Sequence, residues 1–149
     1  MELKNLYDKD FYAWTMATAN TLKKKAFNDI DLEHLIEEIE SMGASDFREL
    51  RSRLIILIAH LLKWDYQQSQ RSSGWKGTII EQRMQLQGLL EQSPSLNSKA
   101  ADLLNDAKFT YLKSLKIASE ETGIAKKAFP ETCPYTLDQI LDDDFYPDN

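Results

Sequence analysis

The sequence predicts an all-α protein, folded as one domain with about five main helices and an ordered C-terminal tail. Glycine and proline are scarce, with five and four occurrences in 149 residues. No stretch alternates apolar and polar residues long enough to indicate a sheet, whereas apolar residues recur at helical intervals of three and four. The hydrophobic content of 42% suffices for a single packed core over residues 1–149.

The first predicted helix spans about residues 8–25. Asp8 or Asp10 can accept hydrogen bonds from the free amides of its first turn, and Lys23-Lys24-Lys25 complement the negative end of the helix dipole. Because a helix end explains the three lysines, we do not assign them to nucleic-acid binding. One face of this helix consists of Phe11, Trp14, Ala17, Thr18 and Leu22.

The next two helices are separated by a predicted break at Gly43. The second helix opens at Asp31 and ends before Gly43, because glycine readily adopts the left-handed conformation of a C-cap. Asp46 with Glu49 is typical of a capping box that begins the third helix. That helix is apolar almost all round from 54 to 62, which predicts a central position in the bundle. The second helix has an apolar stripe of Leu32, Leu35, Ile36, Ile39 and Met42, with Glu33, Glu37 and Glu40 on another side.

Two more helices follow a predicted loop over residues 69–74. The fourth helix spans about residues 75–91 and the fifth about residues 97–122, where Gly123 ends it. The predicted inward stripe of the fourth helix is Trp75, Ile79, Arg83, Leu86 and Leu90. The predicted inward residues of the fifth helix are Leu103, Leu104, Ala107, Tyr111, Leu115 and Ala118.

The tail, from about residue 124 to 149, is predicted to be irregular except for one short helix. Prolines interrupt it, and Thr136 with Gln139 forms a capping box that can start the short helix. Apolar residues at intervals predict that the tail is packed on the bundle, and they are Phe129, Tyr135, Leu137, Ile140 and Phe145.

Composition excludes several classes of protein. A net charge of −6 and a pI of about 4.9 argue against nucleic acid as the main partner. The single cysteine, Cys133, cannot form an intrachain disulfide, and the first residues lack an apolar signal core. The longest apolar run is broken at His60 and is shorter than the roughly 20 residues of a membrane span. We therefore expect a cytoplasmic protein without a membrane segment.

A polar cluster is the first candidate site. His60 interrupts the apolar third helix, Arg83 falls on the inward stripe of the fourth, and the second helix supplies Glu37, Glu38 and Glu40. A buried charge must be paired, so an Arg83–glutamate pair with His60 nearby is first interpreted as a structural network. The alternative is a general acid/base site of a small enzyme.

Metal and nucleophile chemistry have weaker support. His34 and Glu38, at i and i+4, can reach one ion, but a di-iron bundle needs Glu-x-x-His on two helices. Because only Asp31-x-x-His34 comes near that motif, we predict no bound metal and no cofactor, and interpret His34–Glu38 as a surface pair. Cys133 has no histidine nearby in sequence, which favours an inert thiol.

An aromatic and basic cluster surrounds the third loop and is formed by Trp64, Tyr66, Arg71 and Trp75 with Lys76. Its residues are typical of protein-interaction hot spots, and they could also stack a nucleotide or an RNA base. We favour packing at the end of the bundle over contact with a protein, and contact with a protein over contact with nucleic acid.

Several motifs, in the same order, resemble the domain of unknown function 29 family of cyanobacteria and other bacteria. They are Leu6-Tyr7, Asp10-Phe11-Tyr12 with Trp14, the run from Asp31 to Gly43, His60-Leu61-Leu62-Lys63-Trp64, Glu81-Gln82-Arg83, Ser93-Pro94-Ser95-Leu96, Glu120-Glu121-Thr122-Gly123 and the run from Phe129 to Tyr135. The resemblance covers nearly the whole chain. It implies a bacterial helical protein and supplies no catalytic residues.

The sequence leaves the function unknown, with two classes open. We favour a non-enzymatic interaction or adaptor protein, with an unidentified protein partner and an undetermined oligomeric state. The alternative is a small enzyme or metal-binding protein using the polar cluster. An enzyme requires a cleft that exposes those groups, whereas an adaptor requires an exposed apolar or aromatic patch.

Overall fold

A computed structural model describes residues 2–106 and 109–148 of the chain. Helices account for 77% of it, and the described residues include no strand, so the all-α prediction is confirmed. The helices are α1 (Leu3–Lys9), α2 (Phe11–Lys23), α3 (Leu32–Tyr66), α4 (Ser73–Gln92), α5 (Leu96–Asn105), α6 (Thr110–Thr122) and α7 (Leu137–Leu141), with 3₁₀ turns at Phe27–Asp29, Gln68–Gln70 and Lys126–Ala128.

The chain divides into two compact units, Met1–Ser45 and Asp46–Asn149, and the division falls within α3. The N-terminal unit contains α1, α2 and the beginning of α3. Among its described residues, the buried side chains are Trp14, Thr18 and Asp31. The C-terminal unit contains the remaining helices and the hydrophobic core, whose buried members extend from Leu50 to Ile140. The apolar core of the molecule therefore belongs to the C-terminal unit.

The predicted first helix corresponds to α2, and α1, which was not predicted, precedes it. Asp10 leaves the helical conformation, at φ −153° and ψ 87°, and separates α1 from α2. Its side chain accepts a 3.0 Å hydrogen bond from the amide of Ala13 and so caps α2, as one of the two predicted caps. Helix α2 ends at Lys23, and Lys25 adopts a left-handed φ of 57°. Helix α1 can end at Asp10 because the Asp10 side chain takes over as acceptor for an amide of the first turn of α2. In a continuous helix, that amide would donate to a main-chain carbonyl one turn earlier.

The predicted break at Gly43 is wrong, because α3 continues through this glycine and is 35 residues long. A left-handed C-cap requires a positive φ, and among the described glycines only Gly123 has one. A glycine inside a helix costs only about 1 kcal/mol relative to alanine, and its two neighbours, Met42 and Ala44, are good helix formers. Asp46 and Glu49 accordingly lie inside α3 and form no capping box.

The predicted fifth helix is also interrupted. Helix α5 ends at Asn105 because Asp106 has a non-helical backbone (φ −82°, ψ 82°), and α6 begins at Thr110. Ala107, predicted to face inward, lies outside the described residues. Helix α6 ends as predicted, with Gly123 in the left-handed conformation at φ 77°.

Helix α4 and the tail contribute to the core of the C-terminal unit. The predicted inward residues Ile79, Arg83, Leu86 and Leu90 of α4 are buried. The predicted capping box is confirmed, since Thr136 Oγ1 accepts a 3.2 Å hydrogen bond from the amide of Gln139 at the start of α7. In the tail, the buried core members are Phe129, Tyr135 and Ile140. None of the described helices combines the length and apolar character needed to span a bilayer.

Candidate functional site

Three helices of the N-terminal unit meet at five polar and aromatic side chains, which we call the Asp31 cluster: Tyr7, Trp14, Asp31, His34 and Glu38. Asp31 precedes the first turn of α3, and its buried Oδ2 accepts hydrogen bonds from Trp14 Nε1 at 3.2 Å and His34 Nδ1 at 2.6 Å. The Tyr7 ring stacks on the His34 imidazole, with centroids 3.8 Å apart, and its hydroxyl donates to the Glu38 carboxylate. The cluster therefore joins α1, α2 and α3 through specific polar contacts.

The hydrogen bonds of the cluster shift three pKa values. The bond to Asp31 raises the pKa of His34, although desolvation opposes that shift. Burial alone would raise the pKa of Asp31, but the bonds from His34 and Trp14 outweigh burial and lower it. The bond to Glu38 raises the pKa of Tyr7 to about 12, so the phenol remains a donor. The shifts of His34 and Asp31 favour an imidazolium–carboxylate pair between these two residues.

The two weak metal candidates, His34 and Glu38, both belong to this cluster. Each has a different partner, Asp31 for His34 and Tyr7 for Glu38, in place of the predicted His34–Glu38 pair. Within residues 2–106 and 109–148, no group of three or more His, Cys, Asp or Glu side chains could hold a metal ion. The predicted absence of a bound metal stays a prediction that elemental analysis can test.

The N-terminal unit also exposes many large apolar side chains. Leu32, Ile36, Ile39 and Met42 are between 47% and 68% exposed, and their spacing places them on one face of the helix. We call these four residues the α3 stripe. The exposed apolar side chains that precede them are Phe11, Tyr12, Met16, Leu22 and Phe27, whereas the described part of the C-terminal unit adds Ile80, Met84, Phe109 and Leu112. Nine of these thirteen side chains therefore lie in the smaller unit.

Arg83 of the predicted polar cluster is only 1% exposed. Its Nε donates to the carbonyl of Ile140 at 2.8 Å, and its Nη2 donates to the carbonyls of Phe145 at 2.7 Å and Gln139 at 3.3 Å. Burial lowers its pKa, and the nearby Tyr146 partly offsets the effect. Arg83 is buried as predicted, but the predicted pair with a glutamate is wrong, because its hydrogen bonds go to main-chain carbonyls of the tail. Its buried Nη1 has no hydrogen-bond partner among the described residues.

His60 and the three glutamates have separate surroundings. His60 Nδ1 donates to the carbonyl of Ile56 at 2.9 Å, and burial lowers the pKa of its imidazole. Glu38 belongs to the Asp31 cluster, whereas Glu37 and Glu40 are exposed. His60 belongs to the C-terminal unit and the glutamates to the N-terminal unit. The hydrogen bonds of the described residues therefore do not connect these groups into the predicted network.

The aromatic and basic cluster packs within the C-terminal unit. The Trp64 ring lies 5.2 Å from the ring of Tyr146, measured between centroids. Arg71 donates to the carbonyl of Trp64 at 2.8 Å, and its guanidinium lies over the indole. Similar contacts join Tyr66 to the Phe129 ring and Trp75 to the Lys63 ammonium. These contacts favour the packing interpretation, and contact with a partner through these residues stays a prediction.

Cys133 lines a cavity of about 500 Å³ together with residues of α5 and the tail. Its thiol donates to the carbonyl of Tyr135 at 3.5 Å. Burial raises the pKa of the thiol, which disfavours the nucleophilic thiolate. The lining of the cavity contains no histidine, lysine or arginine to oppose this effect, so an inert thiol remains the better interpretation.

The comparison with protein families connects these features to a known group. The model of the family described as "Domain of unknown function DUF29" matches residues 6–146 of the 149-residue chain. The chain belongs to the DUF29 family. The match includes the Asp31 cluster, the α3 stripe and the tail up to Tyr146, and it confirms the resemblance drawn from the motifs. Comparisons with curated proteins and with solved structures give no match. Membership of DUF29 therefore assigns no activity.

Proposed function

We propose that this DUF29 protein is a non-enzymatic adaptor of the bacterial cytoplasm, and that its N-terminal unit contacts another protein. The observation behind this proposal is the exposure of the α3 stripe, whose four side chains are each about half exposed or more. Monomeric proteins seldom expose contiguous apolar patches larger than a few hundred Å², and larger patches mark interaction sites. Four large aliphatic side chains at adjacent helical positions approach that size.

The construction of the N-terminal unit gives further support. Its 45 residues bury Trp14, Thr18 and Asp31 among the described side chains, so hydrophobic burial contributes little to its stability. Covering the stripe would supply the apolar contact that this unit lacks. The groups on which an enzyme would depend, His60 and Arg83, already have main-chain partners, which supports the adaptor over the small enzyme.

The cytoplasmic and bacterial parts of the proposal rest on the sequence. A single cysteine and an acidic composition are ordinary for a cytoplasmic protein. The bacterial assignment follows from the DUF29 motifs.

Affinity purification from the native cell, with chemical crosslinking, tests the proposal. We expect at least one protein to be recovered with the wild-type chain and lost with Ile36→Asn/Ile39→Asn, which makes the stripe polar. The matched control is Ile80→Asn/Met84→Asn, which changes an exposed apolar pair of α4 and should retain that protein. Equal recovery with both double variants would contradict the proposal. Circular dichroism of each variant checks that the helices persist.

A further inference from the structure

Within the first part of α3, the charged residues beside the α3 stripe are acidic. Residues 31–45 contain five acidic residues and no lysine or arginine. Glu33, Glu37 and Glu40 repeat the intervals of four and three that separate the stripe residues Leu32, Ile36 and Ile39. All three glutamates are exposed, so they form an acidic edge along the stripe.

This pattern matches one helix of a two-helix coiled coil. If Leu32 and Ile39 occupy d positions of a heptad and Ile36 an a position, Glu33 and Glu40 fall at e. Charges at e and g select the partner of a coiled coil, because they meet the edge of the opposite helix. Gly43 falls at the next a position, and space is open where its Cβ would be, so a second helix can approach closely.

The acidic edge is largely available to a partner. Glu33 lies 3.6 Å from Lys4, but both side chains are more than 60% exposed, and such surface pairs contribute little. Among the described residues, Glu37 and Glu40 take part in no ion pair. In an antiparallel pair with a second copy, the e positions of the two helices face each other, so the two acidic edges would repel.

We propose that the α3 stripe binds an amphipathic helix of another protein whose apolar face is bordered by lysine or arginine. This inference rests on the proposed function and adds the chemistry of the partner. From Leu32 to Met42 the stripe extends about 15 Å along the helix axis, which corresponds to roughly three turns of a bound helix. The bound helix would contact the stripe through apolar side chains that are three and four residues apart in its own sequence.

Two synthetic helical peptides test whether the acidic edge selects the charge of its partner. They have identical apolar residues at their a and d positions. One has lysine and the other glutamate at every e and g position, and calorimetry measures binding of each to the full chain. We expect the lysine peptide to bind at least about tenfold more tightly at low salt, and the ratio to fall as salt screens the charges. Equal affinities for the two peptides would overturn the inference.

Charge reversal on the protein sharpens the test. Glu33→Lys/Glu37→Lys/Glu40→Lys should reverse the preference between the peptides. The control Glu91→Lys/Glu120→Lys/Glu131→Lys makes the same change in net charge at exposed positions of the C-terminal unit, and it should keep the wild-type preference. Reversal by the control variant as well would show that net charge alone selects the peptide, and it would overturn the inference.

The remaining outcomes separate the two proposals. Sedimentation that shows a dimer, lost in Ile36→Asn/Ile39→Asn, would make a second copy the occupant and overturn the inference. Recovery of a stripe-dependent native partner, with no binding of the lysine peptide, would overturn the basic helix and leave the adaptor proposal standing. Failure of both the peptide and the purification would overturn the adaptor proposal itself.

Discussion

In the N-terminal unit, helices meet through hydrogen bonds and stacked rings around Asp31, whereas in the C-terminal unit they meet through buried apolar side chains from Leu50 to Ile140. The first kind of contact depends on protonation and geometry, and the second on the area removed from water. The N-terminal unit also exposes nine large apolar side chains while burying few. The small interior and apolar exterior of the N-terminal unit support the proposed binding role, whereas the C-terminal unit buries most of the apolar side chains.

The largest expected effect comes from the tail of the C-terminal unit. Deleting everything after Pro130 removes the buried side chains of Tyr135 and Ile140 and the partners of Arg83. Losing two large buried side chains alone costs more than about 5 kcal/mol, which approaches the whole stability of many domains. We expect a melting temperature that is much lower or a chain that does not fold. An unchanged melting temperature would show that the tail is dispensable.

Arg83→Ala should have the next largest effect. It leaves the carbonyls of Ile140 and Phe145 without this donor, whereas the Gln139 carbonyl keeps its bond from the Asp142 amide. The substitution also opens a cavity, and we expect a cost of about 3–5 kcal/mol in urea unfolding. Gln85→Ala, an exposed change on the same helix, is the control and should stay within about 0.5 kcal/mol.

Combining Arg83→Ala with His60→Ala tests whether the two residues act together. His60 donates to Ile56 and Arg83 to the tail, so they share no hydrogen-bond partner. We expect the effects of the two substitutions to add, with about 1–2 kcal/mol from His60. A strong coupling energy would restore the network predicted from the sequence, and two fully stable single variants would favour an enzyme site.

Asp31→Ala should have a local effect. It removes the acceptor of Trp14 Nε1 and His34 Nδ1, at a local cost of about 1–3 kcal/mol. Amide hydrogen exchange should accelerate in α1 and α2 while the amides of α4 and α6 keep their protection. Asp29→Ala, at an exposed position two residues earlier, is the control. Equal acceleration of exchange in both units would contradict the idea that the Asp31 contacts hold only the helices of the N-terminal unit together.

The smallest effect is a pH response of opposite sign in the two units. The chain has two histidines, and the pKa of His34 is raised by Asp31 whereas that of His60 is lowered by burial. The contribution of His34 to the free energy of unfolding is complete below its unfolded pKa of about 6.5, and it is lost as pH rises through the raised pKa of the folded state. The contribution of His60 is complete above about 6.5 and is lost as pH falls through its lowered folded value. The contribution of Asp31 is present above about 3.9 and is lost as pH falls through its lowered value.

Histidine NMR measures both shifts in one titration. We expect one imidazole to titrate above about 6.5 and the other below it, and His34→Gln should remove the higher one. Two midpoints on the same side of that value would contradict the contrast between the units.

Helix type was predictable from the sequence because apolar spacing reports which residues share a face. Helix ends were less predictable, because continuing the helix and ending it differ little in free energy at many positions. Gly43 fits either a cap or a helix interior, and the continuous hydrogen bonding of α3 prevails. The cap at Asp10 and the helix end at Gly123 were predictable because each depends on one residue. Asp10 accepts a hydrogen bond from a nearby amide, and Gly123, which has no side chain, adopts a left-handed backbone.

The polar contacts were hard to predict even where the partners are close in sequence. Asp31 and His34 are three residues apart, but His34 was predicted to pair with Glu38, because the i+4 position is equally within reach on a helix. Trp14 lies 17 residues from Asp31, and Tyr135 lies 70 residues from Asp65, to which its hydroxyl donates. The acceptors of Arg83 are main-chain carbonyls, which any residue type supplies, so no sequence pattern marks them.

The distance in sequence between Arg83 and its acceptors has a consequence for synthesis. The acceptors lie 56 to 62 residues after Arg83, so the ribosome makes α4 before it makes the carbonyls to which the guanidinium donates. During that interval a growing chain cannot bury this face of α4 without leaving a cation unpaired. We therefore expect this face to stay hydrated until residue 145 has left the ribosome, and the core of the C-terminal unit to close only then.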